Sequence, residues 1–482
     1  MTGPGTASAP SHVPPTPPDP VRVAAYKPTG LDLRELARLA LPVAMVQVGM
    51  MAMGALDTVM VGRVSATDLG AVAVGNLYFF GIAVFGMGML FALDPVISQA
   101  VGANDQVAVA RGVQRGGAIS LGLTILASLL LLPAGPILTA LRQPDDVVPV
   151  AAAYAFASIP GVFPFYGFVV LRQSLQAMGI VRPILWTVIL SNGVNLFLNW
   201  ILIFGNLGAP AMGAVGSGWA TSVSRWFMML MLLAIAWRLL KPSIVPLRRD
   251  AFMIAPILRL MRIGAPVGAQ QWLEFGVFGA AGLLMGLMGT VAVASHQVAL
   301  QLAALTFMVP VGIAQATSVL VGQAVGRGDA PGARRSAGAG LIVGVGVMCV
   351  TAVLFLTFPV MFARWFSTDE TVVATVALLL PIAGVFQVFD GIQVVSAGAL
   401  RGVADTRVPM LINLVGFWFV GLPVCVVLGF LLDVGPRGVW WGLAIGIGVV
   451  SILLLRRVST RFGRELIRLV IDEDDGPHEV PV

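Results

Sequence analysis

Long apolar runs, each wide enough to cross a lipid bilayer as a helix, follow one another along nearly the whole chain. They fall at 36–62, 70–100, 112–140, 150–178, 184–204 and 213–240. A second set follows at 256–288, 293–325, 336–363, 372–400, 408–432 and 438–460, with Gly, Pro and charges at the breaks. About 20 helical residues span a ~30 Å hydrocarbon core, and a helix is the open-chain structure that satisfies its own backbone there. The sequence therefore predicts an all-α membrane protein with twelve transmembrane helices. Composition excludes a water-facing globule: 58% of residues are hydrophobic and 11% charged, with a mean hydropathy of +0.93, where soluble domains run near ~25% charged.

The runs repeat. A shift of 224 residues puts Pro42 on Pro266, Gly62 on Gly286, and Gln99-Ala100-Val101-Gly102 on Gln323-Ala324-Val325-Gly326. The same shift puts Asp105 on Asp329, Arg111 on Arg335, Val215 on Val439 and Gly218 on Gly442. One ungapped offset across points so far apart marks two copies of a six-helix unit. An even number of spans keeps both lobes in one orientation, related by a pseudo-two-fold axis along the membrane normal. Repeats of this kind commonly place a substrate cavity at their interface. The expected organisation is a disordered tail at 1–33, lobes at 34–240 and 256–462, a linker at 241–255 and an acidic tail at 463–482. The tails and linker are expected on the cytoplasmic side. The first thirty residues carry eight prolines and no apolar h-region, so they do not read as a signal peptide.

Orientation follows from the basic residues. With both termini inside, all but five of the 29 Lys and Arg residues lie in cytoplasmic segments. Arg63, Arg142, Arg364 and Arg437 lie outside, and Arg225 lies within a helix. This bias obeys the positive-inside rule. It also accounts for the net charge of +6 without nucleic acid, because the cations sit at the ends of apolar runs rather than in a patch. The expected location is a bacterial inner membrane. Cys349 and Cys425 are embedded in apolar runs and form no metal or disulfide framework.

Four acids interrupt the apolar runs: Asp57, Asp94, Glu274 and Asp390. A carboxylate at mid-membrane costs from ~2.5 kcal/mol upward and needs a partner, a proton or a wet cavity. Glu274 shares a helical face with Gln270 and Gln271; Asp390 has Gln387 and Gln393 three residues to either side. Two acids on polar stripes of one lobe suggest a site for a proton or a small hard cation. Asp57 lies in the other lobe, where the fifth run supplies Asn192, Asn195 and Asn199; the last two, one turn apart, are placed to face it. Under the 224 shift Asp57, Glu274 and Asp390 fall on Ala281, Met50 and Tyr166, so these duties were added to a duplicated scaffold. For Asp94, capping or a connector contact competes with transport. Arg225 either snorkels or pairs with an acid. His296 suits a structural hydrogen bond. The methionines crowded into the first and sixth runs, among them Met50, Met53, Met228 and Met229, suit plain packing and also a pocket that accepts many shapes.

Several segments, in order, carry a family resemblance. They are Leu41-Pro42, Asp57-Thr58-Val59-Met60-Val61-Gly62, the Gln99 tetrad, Ser295-His296-Gln297-Val298-Ala299, and Ala399-Leu400-Arg401-Gly402 followed by Asp405-Thr406. From about residue 36 to 462 the chain resembles the multidrug and toxic compound extrusion (MATE) transporters, in their NorM-like branch. The resemblance implies a secondary active multidrug exporter without cofactor, antiporting organic, often cationic and amphiphilic compounds against H+ or Na+ by alternating access. It implies Asp57 as the amino-lobe acid and Glu274 and Asp390 as the carboxyl-lobe cation site, with a transported Na+ as the one metal ion in prospect. The expected unit is a monomer in the bilayer. Sodium-using relatives can carry a tyrosine four residues before the second carboxyl-lobe acid, where this chain has Phe386. A hard cation wants several oxygens, so the missing hydroxyl weakens the case for sodium.

A lipid or polyprenyl-precursor flippase of the related superfamily is the alternative, though neither extra spans nor a strongly basic cavity is visible. The loop Gly102-Ala103-Asn104-Asp105-Gln106 lacks the acidic-Arg-x-Gly-Arg-Arg pattern of major-facilitator transporters. An intramembrane enzyme is not expected, because the buried acids come without a His/Cys set or a nucleophile–base arrangement.

Overall fold

The computed structural model describes residues 26–472, and no strand occurs among them. Its long helices are α1 (Gly30–Val61), α2 (Ala66–Gly102), α3 (Gln106–Leu131), α4 (Val148–Ala177), α5 (Arg182–Phe204), α6 (Gly213–Ile244), α7 (Ile254–Leu287), α8 (Thr290–Gly326), α9 (Ala330–Thr357), α10 (Glu370–Gly402), α11 (Arg407–Leu431) and α12 (Pro436–Gly463). Eleven of them, all but α7, are long and apolar enough to cross a membrane among the described residues. The exception is 34 residues long, and Gln270, Gln271 and Glu274 at its centre lower its hydropathy. The protein is a multi-pass helical membrane protein.

Several boundaries differ from the sequence reading. α1 starts at Gly30, inside the expected tail, because Thr29 and Asp32 form a reciprocal capping box. The expected tail's first 25 residues lie outside the described part. The runs expected at 112–140 and 336–363 stop at Leu131 and Thr357, each followed by a short helix (Ala134–Ala140, Pro359–Arg364). Pro133 and Pro359 mark the breaks, since proline lacks the N–H that continues a helix. The linker shrinks to 245–253 because α6 runs on through Ile244. α2 is interrupted at Phe91–Ala92, α4 passes through a 3-10 turn at Ile159–Gly161, and α11 widens to π-helix over Leu414–Gly421 and Val427–Leu431.

Two helix starts reuse one device. Asp105 caps α3 by accepting from Ala108 N at 2.9 Å, and Asp329 caps α9 by accepting from Gly332 N at 2.8 Å. The cap bond, with a second bond from Arg468, holds the Asp105 carboxyl below the usual carboxylate range.

The two halves of the chain meet along two repeat-related seams, α1 on α8 and α2 on α7, and also where the Leu93–Gly102 end of α2 crosses α8. A Cβ on Gly312 would stand 2.6 Å from Ala44 Cα, and one on Gly88 would stand 2.8 Å from Gly268 Cα. Small residues let the backbones approach this closely. Gly88 and Gly312 are 224 residues apart, as are Ala44 and Gly268. Each seam therefore uses the other's repeat equivalents. The tetrads also cross: Gly102 abuts the Gln323 backbone, and Gly326 abuts that of Gln99. There Gln99 Nε2 donates to Gly402 O and Gln323 Nε2 to Ala177 O, both at 2.9 Å.

Candidate functional site

Asp57 sits toward the end of α1 at 3% exposure, with a partner for each oxygen. Asn199 of α5 donates to Oδ1 at 2.5 Å, and Thr221 of α6 donates to Oδ2 at 2.9 Å. Asn195, one turn before Asn199, accepts from the Asn199 amide at 3.1 Å and so orients it. Asn192 turns away and bonds the backbone oxygens of Gly49 and Val188. Three helices thus converge on one carboxyl. Nothing in the run around Thr221 singled it out in the sequence.

Arg225 lies one turn beyond Thr221 on α6 and is buried. Among the described residues it makes no salt bridge. Its guanidinium stands 4.2 Å from the ring centroid of Phe79 and 5.3 Å from that of Phe165. Two aromatic faces carry the cation, and the charge of Asp57 acts on it beyond salt-bridge distance.

In the carboxyl-terminal half, Glu274 Oε1 collects three amides. Gln270 donates from the previous turn at 3.2 Å, Gln393 of α10 at 2.6 Å, and Asn413 of α11 donates as well. Asn413 went unnamed in the sequence reading, although it is the one polar side chain in its apolar run. Gln271 is not part of this cluster: its Cγ stands 3.0 Å from where a Cβ on Gly88 would lie. At ~100° per residue, a neighbour three positions back is turned ~60° away from the acid, here onto α2. Gln387 likewise bonds α8, through Ala303 O at 2.9 Å and Thr306 Oγ1 at 2.5 Å.

Asp390 is 8% exposed, and no group among the described residues hydrogen-bonds its carboxyl. One turn back, the Phe386 ring lies 6.1 Å from Phe278 and 6.0 Å from Trp440. Trp440 in turn faces His296 at 5.7 Å. The structural hydrogen bond expected for His296 is not formed: both ring nitrogens are buried without a partner among the described residues. Its aromatic packing takes that place. Among the described residues no group of three or more His, Cys, Asp or Glu side chains gathers as a metal site.

Asp94 is fully buried and neither caps a helix nor joins a connector. Its carboxyl accepts from Gln173 at 2.9 Å and lies 3.8 Å from Arg401 Nη1 at the end of α10. Arg401 and Arg172 flank the Phe91 ring, at 5.3 and 5.9 Å from its centroid. Asp94 therefore belongs to the contact between the halves, near the crossed tetrads.

A profile of the MatE family matches residues 42–201 and 266–427. The chain belongs to the MatE family. It is 37% identical to a probable multidrug resistance protein NorM of Bradyrhizobium diazoefficiens, over 88% of this chain and 92% of that one. It is 33% identical to the multidrug resistance protein MdtK of Edwardsiella ictaluri, over 89% and 95% of the two chains. Among solved structures, the eukaryotic MATE transporter AtDTX14 superposes with a TM-score of 0.83 at 22% identity, over 90% of this chain and 98% of that one. An outward-facing multidrug resistance MATE family transporter gives 0.80 at 20% identity, with the same coverage. The two profile segments begin at Pro42 and Pro266, the repeat-equivalent prolines near the starts of α1 and α7. In this MatE chain, Asp57 and Glu274 thus lie on the first helix of each matched segment.

Proposed function

We propose that the chain is a secondary active exporter of organic, often cationic and amphiphilic compounds, driven by inward flow of H+ or Na+ across a bacterial inner membrane. On this reading α7 is a twelfth span, and two six-helix lobes related by a pseudo-two-fold axis rock about the seams to alternate access. Both termini and the crossed tetrads face the cytoplasm, as the basic residues require. The protein acts as a monomer, is not an enzyme and needs no cofactor.

The observation that carries this proposal is the burial of carboxyls inside apolar helices, with polar side chains drawn in from neighbouring helices. Asp57 gathers groups from α5 and α6, and Glu274 from α10 and α11. Ionisable groups at membrane depth are costly and mark ion or proton paths. The names of the relatives, multidrug resistance proteins, support drug-like cargo. The seams built from residues 224 apart support the two-lobe motion.

The coupling ion is proposed to be the proton. Phe386 packs edge-on between other rings and offers no oxygen toward Asp390, whereas a bound sodium ion wants several. Proteoliposomes loaded with a fluorescent cationic dye, given a proton gradient or a sodium gradient separately, test the reading. Dye flux should follow the proton gradient. Flux indifferent to both gradients would refute coupled export.

A further inference from the structure

The chain does not end its ordered course at α12. Leu466 packs against the hydrophobic cluster of the carboxyl-terminal half, which includes Val458 and Phe462. Two residues later the segment is on the other half. Arg468 pairs with Asp105 at 2.8 Å, and Leu469 N donates to Gln99 Oε1 at 2.7 Å. Ile471 is 6% exposed within the cluster that holds Ala100 and Val109, and its carbonyl accepts from Arg259 of α7 at 2.8 Å. Asp472 pairs with Arg111 at 3.1 Å and also with Arg115 of α3. An ion-pair, a backbone, an apolar and a second ion-pair anchor follow within five residues.

These anchors sit on the crossed tetrads. Gln99 accepts from the segment while donating to Gly402 at the end of α10, so one side chain joins the tail to the contact between halves. The geometry limits what the tail tolerates. Two residues span at most about 7 Å when fully extended, so halves parting by more than that must tear away one set of anchors.

We propose that Leu466–Asp472 is a strap that docks on the cytoplasmic end of the amino-terminal half and holds that side shut, detaching before it opens. This rests on the alternating-access reading above. The docking surface is formed by Gln99, Asp105, Arg111 and Arg115, with Arg259 from the α7 side of the seam. The occupant is the chain's own tail, whose ion pairs and buried Ile471 fit that surface.

The test uses the full chain in lipid nanodiscs with Cys349→Ser, leaving buried Cys425 in place. Spin labels replace exposed Gln106 and Arg327, which follow the two tetrads, and the distance between them is read by pulsed electron resonance. Arg468→Glu combined with Ile471→Asp should raise the fraction of long distances by about threefold or more, the scale that a partly exposed ion pair alone supports. Arg468→Lys, which keeps the charge, should match the starting protein. Both changes lie beyond the last helix, and circular dichroism with size-exclusion chromatography checks that the bundle stays folded. An unchanged distance distribution in the double variant would overturn the strap, and so would Arg468→Lys opening as far as the double variant. If the starting protein never shows a long distance under any proton or sodium condition, alternating access fails and the strap fails with it.

Discussion

Asp57 and Asp390 are both buried carboxyls inside apolar helices, yet the protein treats them differently. Asp57 receives a hydrogen bond on each oxygen, from two other helices. Asp390 receives none among the described residues, and its neighbour one turn back is a packed phenylalanine. A hydrogen bond to a charged group contributes ~1.5–3 kcal/mol, so two of them go far toward holding an ionised carboxyl in place. A buried carboxylate without any donor faces a penalty of several kcal/mol and requires a proton, a bound cation or water as its partner. Glu274 lies between these cases, with three amides on one oxygen and none on the other. On the proposed export mechanism, this contrast would place the transported charge in the carboxyl-terminal half. The amino-terminal half holds a carboxyl whose protonation would rearrange a preformed hydrogen-bond set.

The largest effect should come from removing the charge where the protein supplies no substitute for it. Glu274→Gln and Asp390→Asn should each reduce gradient-driven dye transport to the level of empty vesicles while the protein remains folded and monodisperse. Full transport by both variants would erase the contrast between the halves.

Asp57→Asn comes next. Loss of two charge-assisted hydrogen bonds should cut efflux by about tenfold or more. Dye affinity, measured against pH on purified protein, should lose its pH dependence. A retained wild-type profile would make Asp57 a structural acid and leave titration to the other half alone.

Thr221 and Asn195 grade the same site. Thr221→Val removes a direct donor to Asp57 and should slow efflux by about fivefold, the effect of a single hydrogen bond. Asn195→Ala only frees the Asn199 amide, so about twofold is expected. The reverse order would mean that Asn195 acts on the Asp57 carboxyl itself rather than only orienting Asn199.

The smallest expected change is Phe386→Tyr. It adds one oxygen near Asp390 and should make dye transport or cation binding more sensitive to sodium. No shift in sodium dependence would remove the ring as the reason for proton preference.

Much of this was open to reading from sequence because membrane burial is a local signal. An apolar run of sufficient length announces a helix, and an acid within it announces itself. Asp57, Glu274 and Asp390 stood out for that reason, as did Asn195 and Asn199 by their one-turn spacing. Thr221 did not, since a threonine among small residues looks like any packing position. Asn413 was visible as a lone amide, but nothing local tied it to an acid 139 positions away. Helical spacing also misled in detail. Gln271 and Gln387 sit three residues from their acids and are turned toward other helices.

The amino-acid sequence by itself determined the helical membrane class, the repeat and the residues that carry charge into the membrane. Each follows from local hydropathy, from an offset along one line, or from the cost of a carboxyl in hydrocarbon. Tertiary structure decided which of those charges have partners, why Asp94 belongs to the contact between halves, and where the tail lies. Those outcomes depend on helices packed across the seams, where one side chain meets another more than a hundred residues away, and no local pattern along the chain records such a meeting.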